Sequence, residues 1–414
     1  MNNDNTLIPK YRFREFKNDS YINTSLSDFS YIIMGSSPSS TSYNENGLGL
    51  PLIQGNADIK KRFSAPRIFT TEITKECNKE DILLSVRAPV GTVAKSLHHA
   101  CIGRGIAALR SKKNNSQEYL YQWLLSYEAK WGNISQGGTF DAVNSNEIKN
   151  LILPVPSNPV EQQKIAACLS SLDDVIAEHE EKLTALEEHK KGLMQNLFPQ
   201  EGETQPKYCF PEFENDGDWM ENVLDDVFNF VRGPFGGALK KDIFVKEGYA
   251  VYEQSHAIYS DFSEFRYYIN SDKYKELIRF SVKPNDLIMS CSGTMGKFAL
   301  VPENCSEGVI NQALLKLSAK KGYSILYLKY LMETDLYQNK LLSQSAGGAI
   351  KNVVGVSEIK LIKIYLPKTL VEQQKIATVL SSVDELIVAQ REKIASLKEH
   401  KKGLMQGLFP KIES

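Results

Sequence analysis

Residues Val160–Pro199, VEQQKIAACLSSLDDVIAEHEEKLTALEEHKKGLMQNLFP, return 211 positions later as Val371–Pro410, VEQQKIATVLSSVDELIVAQREKIASLKEHKKGLMQGLFP. About 26 of the 40 aligned positions are identical. An internal repeat of this length decides architecture before any local motif does. It describes two similar halves, each closing on one long helix.

Apolar residues step by four and three along each copy. The first copy places Ile165, Leu169, Leu172, Ile176, Leu183, Leu186, Leu193 and Leu197 on one seam, and the second Ile376, Leu380, Val383, Ile387, Ile394, Leu397, Leu404 and Leu408. That spacing is a heptad seam rather than a broad core-facing stripe. Polar residues break it at matching places, His179 with Gln390 and Lys190 with Lys401. Pro156 or Pro159 precedes the first helix and Pro367 the second, and Pro199 and Pro410 end them. Proline suits helix starts and stops but not interiors. At 1.5 Å per residue each helix is about 55 Å long. An exposed seam of that length pairs or aggregates, so the two helices are expected to pair with each other, parallel or antiparallel. The alternative is that each packs on its own domain.

The repetition continues more faintly outside the helices. PKYRFREF (9–16) matches PKYCFPEF (206–213), and LSDFSYIIMG (26–35) matches LDDVFNFVRG (224–233). KEDILLSVRAPVGTVA (79–94) aligns with PNDLIMSCSGTMGKFA (284–299), and EYLYQWLLS (118–126) with LYLKYLMET (326–334). SQGGTFDAVNSNEIKNLILPVP (135–156) aligns with SAGGAIKNVVGVSEIKLIKIYLP (345–367). DILLSV and DLIMSC are short apolar strands ending in Ser and then a glycine turn. Leu50–Ser64 and Tyr249–Tyr268 occupy corresponding places with little similarity, so one framework carries two different surfaces.

The 414 residues are 42% hydrophobic, enough for real cores in two to four domains. No run of 18 or more apolar residues and no charged-then-apolar leader occurs, so a cytoplasmic protein without membrane contact is expected. Cys77, Cys101, Cys168, Cys209, Cys291 and Cys305 form no CxxC pair, and no His cluster has zinc spacing. The net charge is −1, but it is unevenly spread. Residues 30–150 carry about +4 and residues 231–365 about +5, whereas the first repeated helix is near −4. Basic blocks before each helix suit contact with a polyanion.

Together these features resemble the specificity subunit of a type I restriction–modification system. The resemblance rests on the paired VEQQKIA…LSS(L/V)D…EHKKGLMQ(N/G)LFP segments, the PKYxFxEF openings and the GG…EIK…LP approach, and spans nearly the whole chain. It implies an α+β fold: two similar mixed α/β target-recognition domains separated by two long helices in an antiparallel coiled coil, pseudo-two-fold symmetric. The boundaries it implies are an N-terminal segment at 1–19, the first recognition domain at 20–157 and the first helix at 158–200. A linker at 201–214, the second domain at 215–368 and the second helix with its tail at 369–414 follow. Each domain is expected to read one half of an asymmetric, bipartite double-stranded DNA site. The coiled coil is expected to set the spacing and dock two methyltransferase subunits, with helicase–nuclease restriction subunits joining through the complex. One departure is that the first helix has Glu178, Glu180 and Glu187 where the second has Ala389, Arg391 and Lys398, either as coiled-coil flanks or as asymmetric subunit docking.

Catalytic chemistry is expected on the partners. Methyl transfer to adenine requires an Asn/Asp-Pro-Pro-aromatic loop around a flipped base, and none occurs. No P-loop GxxxxGK(S/T) occurs either. The Glu147-Ile148-Lys149 and Glu358-Ile359-Lys360 triplets lack the acidic partner of a nuclease site and belong to the framework. His98 and His99 are a loop pair. The chain is therefore expected to bind no cofactor or metal, with S-adenosylmethionine on the methyltransferase subunits and ATP and Mg on the restriction subunit. A variant phage-defence methylation complex and a coiled-coil scaffold without DNA contact are the alternatives.

Lysine and arginine on phosphates supply affinity, and side chains reaching base edges supply specificity. In the first half Gln54, Asn56, Lys60, Lys61 and Arg62 form the densest such cluster. Arg87 and Thr92 follow a strand, and Gln136 and Thr139 flank a glycine pair. In the second half the candidates are Arg232, Lys240, Lys241, Gln254, His256 and Arg266, then Tyr267, Ser292, Thr294, Lys297 and Lys351.

Overall fold

The structure, a computed structural model, describes residues 8–131, 142–343 and 355–410. It divides into two compact units, Met1–Glu181 with Arg391–Ser414 and Lys182–Gln390. The first long helix, Pro159–Leu197, gives its N-terminal half to unit 1 and its C-terminal half to unit 2. The second, Leu370–Leu408, does the reverse.

In unit 1 the chain enters and leaves the domain through one antiparallel pair, Tyr21–Ser25 against Ile152–Pro156. The six-stranded sheet runs Ser30–Met34, Ile106–Ser111, Ile82–Ser85, Val93–Lys95, Phe63–Ser64, Ile59–Lys60. A five-stranded sheet runs Tyr43–Asn44, Ile68–Thr70, Leu50–Ile53, Ala100–Ile102, Glu76–Cys77. Ile82–Ser85 is buried at every position because both its faces are covered. Ile82 and Leu84 join a core with the helix Gln117–Tyr127, while Leu83 joins a second core with Ile53, Ala94 and Ile102. Strand periodicity sends alternate residues to opposite faces, so a strand between two cores is apolar throughout.

Unit 2 repeats this plan. Its closing pair is Met220–Val223 with Lys363–Leu366. A four-stranded sheet runs Phe228–Arg232, Leu314–Ala319, Leu287–Ser290, Phe298–Leu300, and a three-stranded one Tyr268–Ile269, Tyr249–Tyr252, Gly308–Ile310. Leu287 and Met289 face the core under the helix Ile325–Glu333, and Ile288 faces the other. The parallel register is shared: Leu52 pairs with Cys101 and Ile53 with Ile102, as Val251 pairs with Val309 and Tyr252 with Ile310. The divergent segments build different structure. Unit 1 continues into the hairpin Ile59–Lys60 and Phe63–Ser64, whereas unit 2 forms a helix, Gln254–Tyr259.

Inside each unit the long-helix segments run antiparallel. In unit 1 Asp173 pairs with Lys401 at 2.5 Å and Glu180 with Lys398 at 2.6 Å. In unit 2 Lys190 pairs with Asp384 at 2.6 Å, and Leu197 and Phe198 share a core with Ile376 and Leu380. The lysines that interrupt the seam therefore meet an aspartate on the other helix. Glu180 is a coiled-coil flank, neutralised by Lys398. Ile165, Leu169, Ile176, Ile376, Leu380, Val383, Ile387, Gln390 and Ile394 are buried, and Leu172, His179, Leu183, Leu186, Leu193, Leu397 and Leu404 are half-buried. The head of each seam also packs on its own domain: Ile165 and Leu169 join Tyr119, Leu120 and Trp123.

The repeated motifs join helix to domain. Gln162 accepts the Ser116 backbone N–H at 3.0 Å and donates to the Pro156 carbonyl at 3.2 Å. Gln373 does the same with Ser324 and Pro367, at 3.0 and 3.4 Å. Ser116 and Ser324 are themselves the caps of the domain helices, so one glutamine fixes cap and helix entry together. The LFP ends are aromatic plugs. Phe409 meets Tyr119 edge-on at 5.5 Å, and Phe198 meets Tyr327 at 5.4 Å. The PKY segments hook the helix ends, through Tyr11 N–H to the Gly407 carbonyl at 2.8 Å and Tyr208 N–H to the Asn196 carbonyl at 2.9 Å.

Candidate nucleic-acid interface

In unit 1, Gln54, Asn56 and Arg87 line one cleft of about 500 Å³ with Ser37, Tyr43 and Arg104. Gln54 leaves the end of a buried strand, and its N–H is held by the buried Asp58 carboxylate at 2.9 Å. Arg87 lies within a turn in which Ser85 Oγ donates to the Pro89 carbonyl at 2.6 Å and Gly91 N–H to the Ser85 carbonyl at 2.8 Å. Arg104 sits between two glycines. A side chain on Gly105 would fall 2.4 Å from the Gln54 carbonyl, so the backbone at 103–105 lies directly against residue 54. The Arg104 N–H donates to Ser37 Oγ at 3.1 Å.

Arginine pairing distinguishes this cleft from the rest of the domain. Arg62 is gripped by both carboxylate oxygens of Glu128, Arg67 pairs with Asp58 at 2.9 Å, and Arg110 with Asp81 at 2.7 Å. Arg87 and Arg104 have no carboxylate partner among the described residues, and both line the cleft. Arg62, a sequence candidate, is exposed and carries its charge in this pair with Glu128. Lys60 and Lys61 are exposed on the neighbouring hairpin. Lys61 and Thr92 line an adjoining cavity of about 1770 Å³ that Asn56 shares.

The same corner exists in unit 2 with other side chains. Ser290 Oγ donates to the Thr294 carbonyl at 2.7 Å and Gly296 N–H to the Ser290 carbonyl at 2.9 Å, so Ser292 stands where Arg87 stands in unit 1. Ser292 donates to Gln254 Oε1 at 2.7 Å. By strand register Gln312 takes the place of Arg104, and it is exposed. Gly35 and Gly233 make the same close approach, at 2.2 Å to the Gly103 carbonyl and 1.9 Å to the Asn311 carbonyl for an added side chain. Two residues beyond, unit 1 has Ser37 and unit 2 has Phe235, 76% exposed.

Other predicted residues of unit 2 are dispersed. His256 is buried, its ring nitrogens within 2.8 Å of the Glu253 N–H and 3.2 Å of the Glu264 carbonyl, and it stacks on Phe265 at 4.7 Å. It is a satisfied core histidine, which revises its expected role at the surface. Tyr267 stacks on Phe244 at 4.3 Å, and the exposed Arg266 lies 4.9 Å from the Tyr267 ring. Lys240, Lys241, Thr294 and Lys297 are exposed. Arg232 is half-buried, and its Nε and Nη1 have no hydrogen-bond partner. Gln136, Thr139 and Lys351 lie outside the described residues. Arg104, Phe235 and Gln312 were missed by sequence reading. Gly103-Arg104-Gly105, an arginine between glycines, was the available signal for the first.

Among the described residues no group of three or more His, Cys, Asp or Glu side chains could hold a metal ion, and no helix is long and apolar enough to cross a membrane. Two solved structures share the fold. A type I restriction–modification S subunit from M. genitalium superposes with a TM-score of 0.62 at 15% identity, covering 98% of this chain and 100% of that one. A chain from a structure titled for complex assembly and conformational transition of the type I R-M system gives 0.57 at 17% identity, over 94% and 97%. In sequence, the MjaIX type I restriction enzyme specificity subunit of Methanocaldococcus jannaschii is 25% identical over 84% of this chain and 81% of its own length. The MjaX specificity subunit of the same organism is 38% identical over 40% of this chain, a match that spans 39% of that relative. The family described as type I restriction modification DNA specificity domain matches residues 19–188 and again 216–399. Two such domains, on a framework whose glutamine joints repeat, place this chain in the family of type I restriction–modification specificity subunits.

Proposed function

We propose that this chain is the non-catalytic address subunit of a type I restriction–modification complex, in which each unit's domain reads one half of an asymmetric bipartite DNA site. One observation carries the reading: a corner with a common backbone holds arginines and amides in unit 1 and serine, glutamine and phenylalanine in unit 2. Side chains that differ on the same scaffold are what two different half-sites require. The antiparallel helices act as a stiff spacer and as the seat for two methyltransferase subunits. Those subunits carry S-adenosylmethionine, and restriction subunits with ATP and Mg join through the complex. Exposed lysines such as Lys60, Lys61, Lys240 and Lys241 supply salt-dependent phosphate contact.

The test is methylation mapping of a cell expressing the partner methyltransferase with and without this gene. A gapped motif that depends on the gene is the expected result, and a motif unaffected by its removal would overturn the reading. Deleting one heptad from both helices should change the gap and leave the half-sites intact.

A further inference from the structure

Resting on that reading, we infer that Arg87 and Arg104 are specificity-determining residues that read guanine in the half-site bound by unit 1. Guanine offers two acceptors, N7 and O6, side by side in the major groove, and the planar guanidinium fork matches them. The cleft presents two such forks with the amides of Gln54 and Asn56. Its lining contains no lysine and no carboxylate. A surface built for phosphate uses lysine and arginine alike, and here the lysines stand outside the cleft on the Lys60–Lys61 turn. A carboxylate would be needed to accept from cytosine, and the nearby Asp58 is already occupied by Arg67 and the Gln54 N–H.

The backbone that carries Arg104 is also fixed, and the Arg104 Nε donates to Ser37 Oγ at 3.4 Å. Gly103 N–H donates to the Ile53 carbonyl at 2.8 Å and Gly105 N–H to the Gln54 carbonyl at 3.2 Å, which ties the Arg104 backbone to the strand end bearing Gln54. Unit 2 supplies an internal control, because its equivalent corner has Ser292 and Gln312 in place of both arginines.

The experiment is methylation mapping of the complete complex carrying Arg104→Ala, Arg104→Lys, Arg87→Ala or Arg87→Lys. Both alanine variants should relax a G·C position in one and the same half-site, with discrimination falling about 5- to 150-fold. The other half-site should stay unchanged, which shows that the complex still folds and assembles. The lysine variants keep the charge but lose the fork, so they should relax the same positions. Three results would overturn the inference: loss of methylation spread evenly over all sites with the motif intact, a lysine variant that retains full discrimination, or relaxation at an A·T position. A wild-type complex without any gene-dependent gapped motif would instead refute the functional reading itself. If an alanine variant abolishes all methylation, binding of the purified complex to duplexes with single substitutions in each half-site decides the matter.

Discussion

The two joints between domain and helix use the same repeated glutamate and treat it differently. In unit 1 Glu161 is fully buried and bonded by both oxygens to Arg12, at 2.9 and 2.8 Å. Arg12 in turn lies 5.1 Å from the Tyr21 ring. In unit 2 the position of Arg12 is occupied by Cys209, and Glu372 is 3% exposed with no cation paired to it among the described residues. Its Oε1 accepts from Trp219 Nε1 at 3.2 Å and, more weakly, from the Cys209 thiol at 4.0 Å. Burial consequently pushes the Glu372 carboxyl above its ordinary range. The hydrogen-bonded Glu161 carboxylate raises the Arg12 guanidinium. Identical EQQKIA sequences thus give one joint with an arginine–glutamate pair and one with a buried carboxyl bonded to Trp219. What a motif contributes to stability depends on the neighbour supplied from far along the chain.

The largest expected effect breaks what the joints share. Phe409→Ala and Phe198→Ala should each cost about 3–5 kcal/mol, since both remove a buried ring from a filled core. Hydrogen exchange should show the loss in unit 1 for the former and in unit 2 for the latter. Equal loss in both units from either change would contradict the division seen here.

The glutamates should then separate. Glu161→Gln leaves the Arg12 guanidinium without its counter-charge and should cost about 3 kcal/mol. Glu372→Gln removes an unpaired buried charge and should be neutral to within about 1 kcal/mol, or stabilising. The same difference has a pH signature. A raised carboxyl holds its proton more tightly in the folded state, so unit 2 should gain stability as pH falls from 7 towards the ordinary value near 4.5. The gain ends once the unfolded carboxyl is protonated too. Denaturant titrations across that range should lose this component in Glu372→Gln.

The smallest effect would make the joints alike. Cys209→Arg brings a guanidinium to Glu372 and should stabilise unit 2 by about 1 kcal/mol, with the Glu372 pH component lost. Destabilisation of unit 2 would show that Trp219 and its surroundings leave no room for the second fork.

Much of the fold was legible because its signals are local. Heptad spacing, proline punctuation and strand periodicity are properties of the backbone over a few residues, and they placed both helices and the DILLSV and DLIMSC strands. The interface was legible only in part. Gln54, Asn56 and Arg87 were found through residue type and share one cleft, but Arg104 reaches it from a separate strand end, and His256 was misplaced at the surface. An arginine or histidine looks the same in sequence whether its partner is water, a carboxylate or an aromatic core.

The sequence by itself determined that the chain is a duplicated framework with two long helices and two divergent surfaces, since repetition and periodicity survive without knowledge of contacts. Only the tertiary structure decided that Lys401 meets Asp173 and Lys190 meets Asp384, that Arg62 pairs with Glu128, and that Arg87 and Arg104 have no carboxylate partner among the described residues. Those outcomes depend on side chains brought together across long stretches of chain, where burial and charge pairing decide which groups are left for a ligand.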